Sequence, residues 1–148
     1  MIRGKFNIGN ILVYLMCAVT ILSVFVPYIS AIHYEEISIH EHIQARVNYN
    51  LVNIDKGAIE GWLILILVIM VVVLNLLRLH LINLIIVVIE FILMIIASIK
   101  YSSGWYALLG HLEFGYILLI ISSVLLLISS ILAFVLGLNR KSKDIRGE

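Results

Sequence analysis

Imidazole and carboxyl side chains are concentrated in the one long polar stretch of the chain, residues 33–60, and His111 lies further along. Such groups can bind zinc or change charge near neutral pH. On a strand, two of the histidines would share one face. No recognised metal-ligand spacing is present, so we predict an ordinary polar surface and no metal site, with metal binding and pH sensing as alternatives. The residues concerned are His33, Glu35, Glu36, His40, Glu41, His42 and His111.

Glu90 is the second chemically notable residue, because it lies in the middle of a long apolar stretch. A charge at the centre of a bilayer costs about 2.5–3.5 kcal/mol on insertion scales. We therefore expect the carboxyl group to be neutral part of the time, since burial disfavours the charged form. Hydroxyl groups at similar depth are its expected partners: Thr20, Ser23, Ser123, Ser129 and Ser130.

Glu90, with Ser123 and Ser130, is thus the candidate buried polar or proton site. Two alternatives remain open for it. The acid could be hydrogen-bonded inside a helix bundle as part of the packing, or it could contact a polar group of a partner helix.

No catalytic motif accompanies these groups. The chain has no H-E-x-x-H, no P-loop and no glycine-rich nucleotide motif. It also lacks the interrupted helices and inverted repeats of secondary transporters. Cys17 is the single cysteine, so no internal disulfide can form. We predict that the protein is not an enzyme and needs no cofactor.

The elements that position these residues follow from composition. Hydrophobic residues make up 63% of the 148 residues and charged residues 13%, whereas soluble domains have about 45–50% and about 25%. This excludes a soluble domain, a disordered chain and a nucleic-acid binder. A membrane span needs about 20 residues, and the apolar stretches predict spans at about 8–27, 60–77, 81–99 and 113–138. The predicted fold is a single all-α membrane domain, a bundle of four transmembrane helices.

The stretch 61–99 would be about 58 Å long as one helix, about twice the bilayer core, so it must turn back near residues 76–81. The polar segment 32–60 is predicted to be a small extracellular region that contains β-structure. Residues 43–51 alternate between apolar and polar, as a half-buried strand does. A capping box at 38–41 favours a short helix instead, and this alternative stays open.

The polar face of the predicted strand carries the candidate partner-binding residues Arg46, Asn48 and Asn50. Asp55-Lys56-Gly57 is typical of a turn before the second span.

The distribution of basic residues predicts the orientation. With both termini in the cytoplasm, seven Lys and Arg residues lie inside and three outside, as the positive-inside rule requires. Trp62 and Trp105 then fall at the outer boundary, where aromatic residues anchor helices. We expect a multi-pass protein of the plasma membrane with cytoplasmic N- and C-termini.

The last span carries two stripes of small residues with a spacing of seven. Small residues allow membrane helices to approach closely. We expect this side to pack against helix 1 or helix 3, with an oligomer or partner interface as the alternative. The stripes are Gly115, Ser122 and Ser129, and Ser123, Ser130 and Gly137.

Residues 25–30, Phe-Val-Pro-Tyr-Ile-Ser, resemble the F-x-P-[WY]-x-S edge of small four-helix membrane proteins of Gram-positive bacteria. Gly-Trp-Leu at 61–63 and Gly-Tyr-Ile-Leu-Leu at 115–119 are similar to the same pattern. The resemblance implies the four-helix architecture and a bacterial host, and it implies no activity. The loop layout is similar to that of claudins by analogy, without the claudin cysteine pair and Gly-Leu-Trp signature.

Two functions compete. The first is non-catalytic protein–protein recognition at the cell membrane, by an accessory subunit of a membrane complex or an immunity-type protein. Its partners would be the lipid bilayer and a membrane or extracellular protein, with a homo-oligomer as a further option. The alternative is a small transporter or proton-coupled subunit that uses Glu90. An intramembrane enzyme ranks last, because only hydroxyl groups are available near that acid.

Overall fold

A computed structural model describes residues 8–38, 41–53, 59–103 and 110–146, with the backbone alone for 31–38, 41–46, 110–112 and 139–146. In these residues the helices are α1 (Ile8–Phe25), α2 (Glu60–Leu76), α3 (His80–Ser102) and α4 (Phe114–Arg146). The strands are β1 (Ile29–Ser38), β2 (Glu41–Tyr49) and β3 (Gly110–Leu112). The chain is mainly helical, as predicted, and it also contains a small sheet.

The four described helices form a closed ring. α4 packs against α1 and α3, and α2 packs against α1 and α3. Their shared core is mainly apolar, with a few buried polar side chains. Its apolar members include Val13, Cys17, Val68, Val87, Leu119 and Leu126. Large apolar side chains such as Ile92 and Ile121 are half exposed on the outer faces. Helices that are apolar on all sides are typical of membrane spans.

Three of the described helices are long and apolar enough to cross a bilayer. These segments are Ile8–Phe25, His80–Ser102 and Phe114–Leu138. α2 is also strongly apolar, but at 17 residues it is shorter. The chain therefore has the helices of a membrane protein.

The predicted turn near 76–81 is confirmed at residues 77–79, between α2 and α3. Arg78 adopts a left-handed conformation there, with φ 58°, and its N–H donates to the carbonyl of Asn75 at 3.2 Å. We call this end of the ring the turn end, and the opposite end, where the strands lie, the sheet end.

Several helix boundaries differ from the predicted spans. α1 ends at Phe25 instead of residue 27, because the residue before Pro27 disfavours helical geometry. α3 continues to Ser102 instead of residue 99, since Lys100 has a partner on α2. α4 continues past Leu138 to Arg146, and the arginines and lysines in that extension favour helix.

The sheet has the strand order β2-β1-β3 and is antiparallel throughout. β1 and β2 form a hairpin that runs from Ile29↔Tyr49 to Ser38↔Glu41, with an irregularity near Glu36. The strand prediction for 43–51 is therefore confirmed for its larger part, and the helical alternative is wrong for residues 41–49. The middle of the capping box, residues 39–40, lies outside the described residues, as do Asp55-Lys56-Gly57 and Trp105.

Four backbone hydrogen bonds attach the base of the sheet to the ends of the helices. In each bond the N–H of the first residue donates to the carbonyl oxygen of the second: Tyr28 to Tyr49 (2.7 Å), Leu51 to Val24 (3.2 Å), Glu113 to Tyr28 (3.0 Å) and Gly115 to Pro27 (2.9 Å). The exit of α1, the end of β2 and the entry of α4 are thereby joined. This attachment positions the hairpin on the sheet end.

Candidate functional site

The β1–β2 hairpin is the first candidate site. β3 pairs only with Ile29–Ala31, at the base of β1. In the described part of the chain, the rest of that edge of β1 and the outer edge of β2 have no strand partner. Among the described elements, the hairpin strands make their main contacts with each other and with β3, and not with the helices. Unpaired strand edges present rows of N–H and C=O groups to which another chain can add a strand.

The structure places Arg46 and Asn48 on β2, where they pair in register with Ile32 and Ser30. Positions two apart on a strand share a face, so these two predicted partner-binding residues lie on one side of the sheet. The side chain of Asn48 is exposed. The predicted placement of both residues on the strand is therefore correct.

The prediction that Asn50 belongs to the strand face is wrong, because β2 ends at Tyr49. The Asn50 side-chain oxygen accepts hydrogen bonds from the backbone N–H groups of Val52 (3.2 Å) and Asn53 (3.0 Å). Its own N–H donates to the side-chain oxygen of Asn53 at 2.9 Å. Asparagine often stabilises turns in this way, so Asn50 shapes the chain reversal after β2.

The base of the hairpin contains a polar contact that the sequence did not reveal. Ser30 is buried, and its hydroxyl donates to Glu113 Oε1 at 2.6 Å. Ser30 pairs with Asn48 across the strands, so this pair joins a buried serine on β1 to an exposed asparagine on β2.

Three tyrosines lie beneath the sheet. Tyr28 is fully buried and makes edge-to-face contacts with Tyr116 (ring centroids 5.3 Å apart) and Tyr101 (6.0 Å). Such pairs contribute about 0.5–1.5 kcal/mol beyond area burial. Burial raises the pKa of the Tyr28 hydroxyl to about 12. This cluster gives the sheet a rigid support on the bundle.

An ion pair joins α2 and α3 at the sheet end. Lys100 Nζ lies 2.7 Å from Glu60 Oε1, joining α3 to the first residue of α2. The hydroxyl of Tyr101 donates to the other oxygen of Glu60 at 3.3 Å. The lysine side chain is 41% exposed, and exposed pairs contribute only about 0–1 kcal/mol. We therefore assign this pair to helix alignment.

The second candidate site is Glu90, which is fully buried near the middle of α3. The hydroxyl of Ser123 on α4 donates to Glu90 Oε1 at 2.8 Å, and Ser123 is one of the partners expected from depth. In the described part of the chain, Glu90 Oε2 and Ser130 Oγ have no hydrogen-bond partner. The centre thus consists of an acid on α3, one oxygen of which has no hydrogen-bond partner among the described residues, and serine hydroxyls on α4.

The other hydroxyls expected near Glu90 bond to their own helices instead. Thr20 donates to the carbonyl of Met16 at 2.9 Å, and Ser23 donates to that of Thr20 at 2.7 Å. Ser129 donates to Leu125 at 2.7 Å. Serine and threonine commonly satisfy their hydroxyls this way in helices, so they do not join the polar centre.

The small residues of α4 lie against neighbouring helices. A Cβ on Gly115 would come 2.5 Å from the carbonyl oxygen of Pro27, and one on Gly137 would come 2.9 Å from the ring of His80. The four stripe serines between them are buried, namely Ser122, Ser123, Ser129 and Ser130. In the structure this side of α4 packs within the chain, against α1 and α3.

For most of the histidine and acid cluster, the structure describes the backbone alone. The backbone places His33, Glu35, Glu36, Glu41 and His42 in the hairpin and His111 in β3. Among the residues whose side chains the structure describes, no group of three His, Cys, Asp or Glu residues could hold a metal ion. His40 lies outside the described residues.

Comparison with known proteins identified no relative of this chain. No family model matches the chain, and no curated protein or solved structure is significantly similar to it. The resemblance to small four-helix membrane proteins of Gram-positive bacteria therefore stays a prediction.

Proposed function

We propose that this chain is a non-catalytic membrane protein that recognises another protein through its β1–β2 hairpin. One observation carries the proposal: the hairpin is held only at its base, and its outer edges are unpaired in the described part of the chain. The partner would add a strand to the edge of β2 or contact the exposed face that carries Asn48. An accessory subunit of a membrane complex and an immunity-type protein both fit this role.

The proposed arrangement in the plasma membrane has four spans. α2 is about 26 Å long at 1.5 Å per residue, close to the bilayer core of about 30 Å. Packing of α2 between α1 and α3 favours the same crossing for all three. Four spans put both termini on one side, and the excess of basic residues favours the cytoplasm. Trp62, half exposed at the sheet end, suits the outer interface.

Shortening the hairpin tests the proposal. Residues 34–44 would be replaced by Asn-Gly, a two-residue turn that suits hairpins, between His33 and Ala45, which pair in register. The shortened chain would also carry Asn48→Ala, so that the exposed contact is removed together with the strand edge. The full chain, purified in a mild detergent from its own host, is expected to retain one protein at a fixed stoichiometry, and the shortened chain is expected to lose it. The thermal midpoint should stay within a few degrees, because the base of the sheet is unchanged.

Glu90→Gln provides the matched control, since it changes the buried centre and leaves the hairpin intact. This variant should retain the partner at the wild-type stoichiometry. Retention of the same protein by the shortened chain would contradict recognition by the hairpin.

A second candidate function is a small transporter or proton-coupled subunit. It is favoured by Glu90 Oε2, a buried carboxyl oxygen without a partner in the described part of the chain. Gln is nearly isosteric with Glu and cannot titrate. Loss of cellular function in Glu90→Gln, at normal expression and with the partner still bound, would favour this candidate over recognition.

A further inference from the structure

A groove of about 460 Å³ opens at the turn end, between the α2–α3 turn and the last part of the apolar segment of α4. Its walls are largely apolar, and its rim carries a guanidinium and an imidazole group. The residues that matter here are Arg78, His80, Ile82, Phe134, Gly137 and Leu138.

Gly137 shapes the floor of this groove. The ring of His80 lies against α4 where a Cβ on Gly137 would be only 2.9 Å from His80 Cδ2. The close approach holds the imidazole against the helix, beside the apolar side chains of Phe134 and Leu138. The groove therefore has an apolar floor that reaches a polar edge at the helix end.

Arg78 supplies the charge at that edge. Its left-handed backbone, φ 58°, costs a non-glycine residue about 1–2 kcal/mol, and glycine is the usual residue at this position after a helix. The side chain is exposed, and no ion pair joins it to another residue in the described part of the chain. An unpaired arginine thus occupies a strained position at the mouth of an apolar groove.

The depth of the groove restricts its occupant. His80 begins the apolar segment of α3, and Leu138 ends that of α4, so the rim lies where a bilayer changes from hydrocarbon to headgroups. An occupant must present negative charge at the rim and an acyl chain to the floor. Basic pockets between membrane helices are known to bind anionic lipid headgroups.

We propose that the groove binds one anionic phospholipid, with its phosphodiester at Arg78 and one acyl chain along Ile82, Phe134 and Leu138. Arginine suits the phosphate because its planar guanidinium can donate two parallel hydrogen bonds. The N-terminus of α3 adds favourable partial charge, as its N-cap Leu79 makes no side-chain capping bond. The inference is independent of the proposed recognition function and of which side of the membrane the turn end faces.

Lipid retention measured by native mass spectrometry tests it. The full chain would be released from mixed micelles containing equal amounts of phosphatidylglycerol and phosphatidylcholine, which share acyl chains and differ in headgroup charge. The wild type should retain one phosphatidylglycerol in preference to phosphatidylcholine. Arg78→Gln should lower that preference about five-fold, since a basic residue near the surface contributes about 1 kcal/mol to binding of anionic lipid.

Arg78→Gly separates lipid binding from folding. It removes the charge and relieves the backbone strain, so it should lose the lipid preference while its thermal midpoint in lipid-free detergent rises. Lys100→Gln is the matched charge control, because it removes one positive charge at the opposite end of the bundle. It should keep the wild-type preference.

Three results would overturn the proposal. One is an unchanged lipid ratio in both Arg78 variants. Another is an equal fall in Lys100→Gln, which would indicate a general charge effect. The third is displacement of the lipid by millimolar inorganic phosphate, which would indicate a site for the phosphate group alone.

Discussion

In the described part of the chain, only one of the two carboxyl oxygens of Glu90 has a hydrogen-bond partner. Ser123 donates to Oε1, while Oε2 and the hydroxyl of Ser130 are both buried without partners in the described part of the chain. Buried polar groups in membrane helices are costly and often functional. Substitutions of Glu90 that keep its size can therefore test whether the carboxyl group serves stability or function.

A double-mutant cycle measures the Glu90–Ser123 bond. Glu90→Leu and Ser123→Ala, singly and together, should give a coupling of about 0.6 kcal/mol and at most about 1.7 kcal/mol, as double-mutant cycles between membrane helices do. The free energy of unfolding would be measured by titration with a denaturing detergent. Glu90→Leu with Ser130→Ala is the matched control. A coupling in that pair as large as the one with Ser123 would contradict a specific stabilising bond between Glu90 and Ser123.

Tyr28 predicts a pH dependence at the sheet end. Burial raises the pKa of its hydroxyl to about 12, whereas the unfolded chain has a value near 10. The folded state therefore holds the proton more tightly, and its stability is complete below pH 10. About 2–3 kcal/mol should be lost as the pH rises from 10 to 12.

Tyr28→Phe keeps the aromatic ring and removes the titrating group. The free energy of unfolding in detergent should change less between pH 8 and pH 11.5 for this variant than for the wild type, by about 2 kcal/mol. Equal pH dependence in the two proteins would mean that other groups cause it.

At the residue scale, the sequence could predict some of this chemistry. The depth of Glu90 and of Ser123 could be counted along their helices, and the pair was found where those depths match. The tyrosine cluster could not be found in this way, because Tyr28, Tyr101 and Tyr116 come from three separate segments. Asn50 looked like a strand residue because alternation continues past the point where its side chain forms a turn.

Among the elements, the segment after α1 and the first turn of α4 make a close backbone contact at the sheet end. The N–H of Gly115 donates to the carbonyl of Pro27 at 2.9 Å, and a Cβ there would lie 2.5 Å from the same oxygen. The atoms that this Cβ would meet belong to the backbone, so no side-chain rotation could relieve the clash. Only glycine fits at this position without a shift of the backbone.

Gly115→Ala should therefore destabilise the chain by about 1–3 kcal/mol or more, as overpacking of a tight contact does. Gly137→Ala should cost less, because its Cβ would meet the ring of His80, a side chain that can rotate. The thermal midpoints of the two variants in one detergent would show the order. A larger loss for Gly137→Ala would mean that the His80 contact is the more rigid of the two.

At the element scale, periodicity identified the helices and β2 but missed two strands. β1 begins at Ile29, just after the predicted first span, and its sequence Ile-Ser-Ala-Ile-His-Tyr-Glu-Glu-Ile-Ser does not alternate regularly between apolar and polar residues. β3 has only three residues, too few for any period to be visible. Its partner, β1, lies far away in sequence, and only the folded chain brings the two together.

For the whole molecule, the position of α2 determines the topology. Three described helices have the length and composition of spans. If the 17-residue α2 also crosses, the segments before and after it lie on opposite sides of the membrane.

Single cysteines in a Cys17→Ala background test this arrangement. A membrane-impermeant maleimide applied to intact cells should label Asn53→Cys and Ser103→Cys, both at exposed positions of the sheet end. Arg78→Cys should be labelled only after permeabilisation. Labelling of Asn53→Cys and Arg78→Cys from the same side would show that α2 does not cross.

The pairing of β1 with β3 also bears on the order in which the protein is made. The two strands are separated by about 80 residues that include α2 and α3, so a ribosome adding about 5–20 residues per second delivers β3 about 4–16 s after the start of β1. The hairpin can form early, but its third strand can join only after α2 and α3 have been synthesised. A chain in which the later helices fail to pack would therefore keep the edge of β1 at Ile29–Ala31 unpaired.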